Sequence, residues 1–166
     1  AKKNGLEVTN YGLFLAENQP EYEVVLNEGK GEGTAWSCAH GVDRWQDDCG
    51  CCSGGNHGWN QKWRRPLREG LNELRDKLKK IYEKEGKKYF NDVWEVRNRY
   101  IELVFDRSNS KLEEFIGKEC KYELEAEEKV IVMKLLEMQR NAMLMFTSCG
   151  WFFDEISGIE TVQILM

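Results

Sequence analysis

The sequence predicts a mainly α fold: an antiparallel helical bundle with a short N-terminal helix–strand piece and a Cys/Gly/Trp-rich loop. Three observations carry this. Downstream of Pro66, apolar residues recur at spacings of three and four, the period of one helix face. Capping signatures and glycines cut that region into separate helices with short connections. Between Trp36 and Trp63, the run WSCAHGVDRWQDDCGCCSGGNHGWNQKW is too rich in Gly, Asp and Cys for a helix or strand. The chain divides accordingly into residues 1–35, the loop 36–63 and the bundle 64–166.

Residues 1–20 read as a short helix in which Leu6, Tyr11, Phe14 and Leu15 share a face, with Asn18 to Pro20 ending it. Tyr22 to Leu26 (YEVVL) reads as a strand stopped by the turn Gly29 to Gly33, so this piece resembles the last unit of an α/β domain. Pro66 opens the first bundle helix, where a missing N–H costs nothing. Leu67, Leu71, Leu74, Leu78 and Ile81 form its seam, and Gly86 ends it. A second helix is expected over 89–105, burying Phe90, Val93, Trp94, Arg97, Ile101 and Val104. Ser110 with Glu113 caps a third through Phe115 to Cys120. A fourth spans about 125–147, lined by Val130, Ile131, Leu135, Met138, Ala142 and Met145. Ser157 with Glu160 opens a last helix through Val162 and Leu165.

The 166 residues suit one domain with a small appendage, and an apolar share of 41% is enough to build a core. A net charge of −5 argues against general nucleic-acid binding. No apolar run is long enough to cross a bilayer and no secretory signal is visible, so the expectation is a cytoplasmic protein without a membrane partner. The chain opens on Ala1 and closes on VQILM inside an apolar helical run, which reads as a piece of a longer protein. Separated from its neighbour, such a piece would expose an apolar patch and form a homodimer.

Four constellations can carry chemistry. Cys38-x-His40 followed by Cys49-x-Cys51 offers three thiolates and an imidazole, a donor set for tetrahedral zinc, with Cys52 as a substitute for Cys51. An iron–sulfur cluster, a redox pair, a disulfide and plain reduced thiols beside a structural histidine stand as alternatives. Trp36, Trp45, Trp59 and Trp63 offer flat faces for sugar rings, with Asp43, Arg44, Asp47, Asp48, Asn60 and Gln61 available for hydroxyls; the plainer reading makes these tryptophans anchors of an irregular loop. The stretch Thr147 to Glu155 breaks a helix at Gly150 and presents Trp151, Phe152, Phe153, Asp154 and Glu155. Glu137 and Arg140, three apart on the fourth helix, read as an ion pair.

The runs WSCAHGVDRWQDDCGC, GWNQKWRRPLREGLNELRD and LLEMQRNAMLMFTSCGWFFDEISGIETVQIL resemble a bacterial and archaeal domain of unknown function. That domain follows a polysaccharide-deacetylase-like, family-57 glycoside hydrolase barrel. The resemblance implies that residues 1–35 are the tail of a (β/α) barrel and that the bundle leans over its mouth. It implies an α-glucan or other oligosaccharide as ligand and the upstream barrel as partner, with Trp36, Trp45, Trp59, Trp63, Trp151 and Asp154 shaping the cleft. Trp151 is similar to a cleft tryptophan that follows a Ser-Asp pair in the glucan-branching members; here Ser148-Cys149-Gly150 precedes it, without the aspartate. The family's Asp-Gly-Glu and Gly-His-His signatures are absent from the sequence, so no catalytic residue is expected here. Retaining glycoside chemistry needs two carboxylates and no cofactor, which leaves zinc a structural part. Metal-binding or redox module and purely structural bundle are the other two functional readings.

Overall fold

The computed structural model describes residues 4–5, 8–27, 33–35, 37–51 and 55–166. Leu6, Trp36, Cys52 and most of the Gly29–Gly33 turn lie outside the described residues. The chain splits into two compact units, residues 1–34 and 35–166. The described residues are mainly helical, and the one β contact among them is an isolated bridge between Phe90 and Cys120.

In the first unit, α1 spans Tyr11–Glu17. Asn10 caps it by accepting from the Leu13 N–H, and Asn18 closes it by donating twice to the Phe14 carbonyl. None of its residues is buried, so the apolar face of Tyr11, Phe14 and Leu15 lies in solvent. The expected strand at Tyr22–Leu26 is corrected: the segment carries no strand pairing and all five side chains are exposed. Its β-branched pair fits a pleated surface, but a strand exists only through a neighbour's ladder, and none of the described residues pairs with it.

The second unit is built on α2 (Arg64–Gly86), α3 (Val93–Arg99), α4 (Ile101–Phe105), α5 (Asn109–Glu119), α6 (Ala126–Leu144) and α7 (Ile159–Leu165). Helix α2 starts two residues before Pro66, leaving the proline at the third helical position, where the N–H still has no partner within the helix. It packs antiparallel on α6: Leu71 meets Ala142 and Met145, the Leu78 carbonyl accepts from Gln139, and Tyr82 meets Val132 and Leu135. Two apolar cores result. The larger gathers Tyr82, Phe90, Val96, Tyr100, Leu103, Phe115, Ile116 and Leu136. The smaller gathers Leu71, Ala142, Met145 and Trp151, with Trp45, Trp63, Leu67 and Phe146 against it.

Local chemistry moves several expected boundaries. Asp92 accepts from the Trp94 and Glu95 N–H groups and so starts α3 at Val93, not at Tyr89. Phe90 instead joins the bridge to Cys120, beside a bond from the Lys121 N–H to the Tyr89 carbonyl. The second helix is two, interrupted at Tyr100, and it buries Val96, Tyr100 and Leu103 while Ile101 is exposed. The cap of α5 is Ser108 rather than Ser110. On α6 a reciprocal capping box joins Glu125 and Glu128. Val130 and Ile131 face outward, and Val132, Leu136 and Gln139 are buried in their place. Helix α7 begins after Gly158; Ser157 bonds Glu155 instead of capping it. Glu137 pairs with Arg140 as expected, at 3.3 Å, and also with Arg107 at 2.7 Å and the Tyr100 hydroxyl.

Candidate metal centre and the adjoining recess

The loop folds through glycines and carboxylates. Gly41 and Gly50 take φ of +67° and +74°, a region open to glycine at no steric cost. Asp48 accepts from the Gly50 N–H at 3.2 Å and so turns the chain between Cys49 and Cys51. Arginines from the first two turns of α2 hold the loop down. Arg65 pairs with Asp47, and Arg68 donates to the Trp45 carbonyl at 2.8 Å.

These turns bring together the four residues singled out in the sequence. The donor atoms of Cys38, His40, Cys49 and Cys51 all lie within 4.8 Å of one another. The Cys38 and Cys51 sulfurs are 3.9 Å apart, and the His40 Nδ1 is 3.7 Å from the first and 3.3 Å from the second. A zinc tetrahedron with Zn–S of about 2.3 Å and Zn–N of about 2.0 Å has edges of about 3.8 Å (S–S) and about 3.5 Å (S–N). The Cys38, His40 and Cys51 spacings lie near those edges and the Cys49 sulfur lies within 4.8 Å of the other three donors, so the four residues could hold a single ion. A polynuclear iron–sulfur cluster places its cysteines on separate irons and spreads the sulfurs wider. The disulfide alternative fails among the described cysteines, since all five are free.

Electrostatics within the cluster are uneven. Burial opposes ionisation of Cys49, but the bond to the Cys51 backbone and the contacts with Cys38, Cys51 and Arg44 outweigh it, holding this thiol below its ordinary range. Cys51 is pushed up, first by its bond to Cys38, then by burial and by the charge on Cys49. Of the two, Cys49 releases its proton the more readily, and it lies beside two buried guanidiniums. Arg64 is 0% exposed and Arg44 5%. Arg64 Nη1 lies 4.0 Å from the Cys49 sulfur, and the Arg44 guanidinium lies over the Phe152 ring at 4.5 Å.

The aromatic residues divide. Trp45 and Trp63 are half-buried against the smaller core, and Trp63 stacks on Trp151 at 6.1 Å. The expectation that Trp151 offers its face to a ligand is corrected: it is 0% exposed, and its indole N–H donates to the Met145 carbonyl at 3.3 Å. Gly150 allows this packing, since a Cβ there would sit 2.8 Å from Ile164 of α7. Trp59 alone of the described set is open, at 45% exposure. It lines a recess of about 250 Å³ with Gly55, Phe153, Asp154, Glu155, Gly158 and Glu160. Asp154 is 8% exposed and accepts from Gln61. The loop and the 148–158 segment thus lie side by side.

Gln61 and Arg44, expected to serve ligand hydroxyls, are instead buried and serve the loop. Arg64 was not singled out at all. Its signal was register: it precedes Leu71 by seven positions, so the leucine seam carried back one turn puts it on the buried face.

No curated protein and no solved structure matches this chain. A family model does match, over residues 59–166, beginning at Trp59 and taking in Gln61, Arg64, Trp151 and Asp154 while leaving the four metal-type donors upstream. On that match, which covers well over half of its length, the chain belongs to the family described as Domain of unknown function (DUF3536).

Proposed function

We propose that residues 35–166 form a metal-stapled helical domain, with one zinc ion held by Cys38 Sγ, His40 Nδ1, Cys49 Sγ and Cys51 Sγ. The observation that carries this is the convergence of four donors within 4.8 Å of one another, three of them at spacings near those of a zinc tetrahedron. Four protein ligands close the coordination sphere, so the ion's part is structural: it supplies binding energy that folds a loop lacking regular structure. Thiols kept reduced for this purpose fit a cytoplasmic protein. The test is metal content of the purified chain, followed by cobalt substitution. One zinc per chain and the intense visible bands of tetrahedral thiolate-bound cobalt are expected, both lost in Cys38→Ser and Cys51→Ser. A chain that takes up neither ion in one-to-one ratio overturns the reading, and metal that turns over redox equivalents would make it a redox module instead.

One feature favours a second, compatible role. Trp59 and Phe153 are exposed beside Asp154, Glu155 and Glu160, a combination of flat apolar faces and hydroxyl acceptors suited to a sugar ring. We propose that this recess is the chain's share of a carbohydrate cleft, completed by an upstream family-57-like barrel of the same polypeptide. The domain would then be accessory to α-glucan hydrolysis or transfer, with no catalytic residue of its own. Titration with maltooligosaccharides tests it: Trp59 fluorescence shifts in the wild type and not in Trp59→Ala. No response to any glucan leaves the domain a structural bundle.

A further inference from the structure

We infer that Gln61 and Arg64 form an outer shell that transmits occupancy of the metal centre to the Phe152–Asp154 turn, and so to the recess beside Trp59. The inference rests on the zinc reading above and names the residues through which that site acts.

Both side chains lie deep, Gln61 at 3% exposure and Arg64 at 0%. Each reaches in two directions. Gln61 Oε1 lies 3.5 Å from the Cys49 sulfur and accepts from Arg64 Nη1 at 2.9 Å. Its Nε2 donates to the Cys51 carbonyl and to Asp154 Oδ1. Arg64 Nη1 faces Cys49, while Nη2 donates to the Phe152 carbonyl at 2.8 Å and the Phe153 carbonyl at 3.2 Å. Gln61, three residues before α2, and Arg64, its first residue, therefore clamp residues 49 and 51 on one side and residues 152–154 on the other. Residues 153–158 belong to no helix or strand, so tertiary bonds fix their path.

Loss of the ion frees the Cys49–Cys51 turn, which has no ladder or helix of its own. The Cys51 carbonyl then leaves Gln61, and the Cys49 sulfur leaves Arg64 Nη1. Each side chain loses one side of its clamp, and its bonds to residues 152–154 slacken with it. Linkage makes the effect mutual: whatever fixes residues 152–154 tightens metal binding by the same factor.

Hydrogen exchange on the full chain tests this, with cobalt bands reporting metal uptake separately. In the wild type, metal loading should slow exchange of the amides at 152–158 by about tenfold, with protection in α5 and α6 unchanged. Arg64→Met should still bind one equivalent of cobalt yet show less than about a twofold change at 152–158. Gln61→Leu should behave in the same way and serves if Arg64→Met does not fold. A wild type that binds metal with no change at 152–158 overturns the inference, as does a full response in both variants. Failure of the wild type to bind metal would show in the cobalt spectrum and would overturn the zinc reading first.

Discussion

Trp151→Ala paired with Trp59→Ala separates a core tryptophan from one available to a ligand. Trp151 has no exposed surface, stacks on Trp63, lies under the Arg68 guanidinium at 5.7 Å and donates to the Met145 carbonyl. A tryptophan buries at most about 250 Å², which at about 25 cal/mol per Å² sets a ceiling of about 6 kcal/mol. The unfolded chain already hides part of that area, and aromatic truncations in cores cost about 3–5 kcal/mol, so about 4 kcal/mol is expected. Trp59 is 45% exposed in an irregular loop, and its truncation should cost about 1 kcal/mol. The assay is urea denaturation of zinc-saturated protein followed by far-ultraviolet circular dichroism, which does not depend on the fluorophores removed. With a slope of about 2 kcal/mol/M, Trp151→Ala should lower the midpoint by about 2 M and Trp59→Ala by about 0.5 M. Equal shifts, or a Trp151 shift below about 0.5 M, would refute the reasoning that Trp151 organises the smaller core.

Three further outcomes follow from the same structure. Chelation of the metal should lower the melting temperature: free zinc at about a thousand times its dissociation constant contributes about 4 kcal/mol, or about 8–16 °C for a chain of this size, and calorimetry showing no drop counts against the centre. Gly150→Ala should cost about 1–3 kcal/mol through the contact with Ile164, and adding Ile164→Ala should cancel part of that cost in a double-mutant cycle. Burial, then Glu119 and Glu128, pushes the Cys120 thiol from 9.0 up to about 11, so the unfolded chain releases its proton first as pH rises. Stability is therefore full below pH 9.0 and declines toward about 11; Cys120→Ala should flatten the decline in urea melts across that window.

Helices α2, α5 and α6 were legible because each repeats apolar residues at helical spacing, although α5 is capped by Ser108 rather than Ser110 and α2 begins before Pro66. Their faces were less legible. Helix α6 is apolar around much of its girth, so spacing alone could not choose between Val130 with Ile131 and Val132 with Leu136; contact with α2 chose. Helix α2 carries an obvious leucine seam, yet it also buries Tyr82, whose hydroxyl donates to the Val93 carbonyl at 2.6 Å. A lone tyrosine among Lys and Glu gives no periodic signal. YEVVL misled for a different reason: propensity describes a residue's fit to a sheet, and no strand among the described residues pairs with it.

The donor set of the metal centre could be read from residue types, since few tasks gather Cys, His and paired Cys around tight turns. What sequence left undecided among disulfide, free thiols and metal, charge now weighs. Arg44 and Arg64 place two cations where solvent hardly reaches, and Asp154 is the buried carboxylate beside them. A disulfide would add no negative charge, and its sulfurs would be bonded rather than 3.9 Å apart. Three neutral thiols would leave one guanidinium without an anion, a state that costs several kcal/mol. Cys49, whose proton affinity is lowered, despite its burial, by its bond to the Cys51 backbone and by Cys38, Cys51 and Arg44, is the thiol placed to supply that anion. A divalent ion bound by three thiolates and a neutral imidazole also carries one net negative charge, so metal can enter without disturbing that balance. A trivalent ion would strand a guanidinium, and a monovalent one would leave an excess of negative charge in a buried site. On the zinc reading proposed above, the arginines would favour an ion of charge two as the sulfurs favour a soft one, so a surface-like residue type in a sequence would bear on metal identity once burial is known.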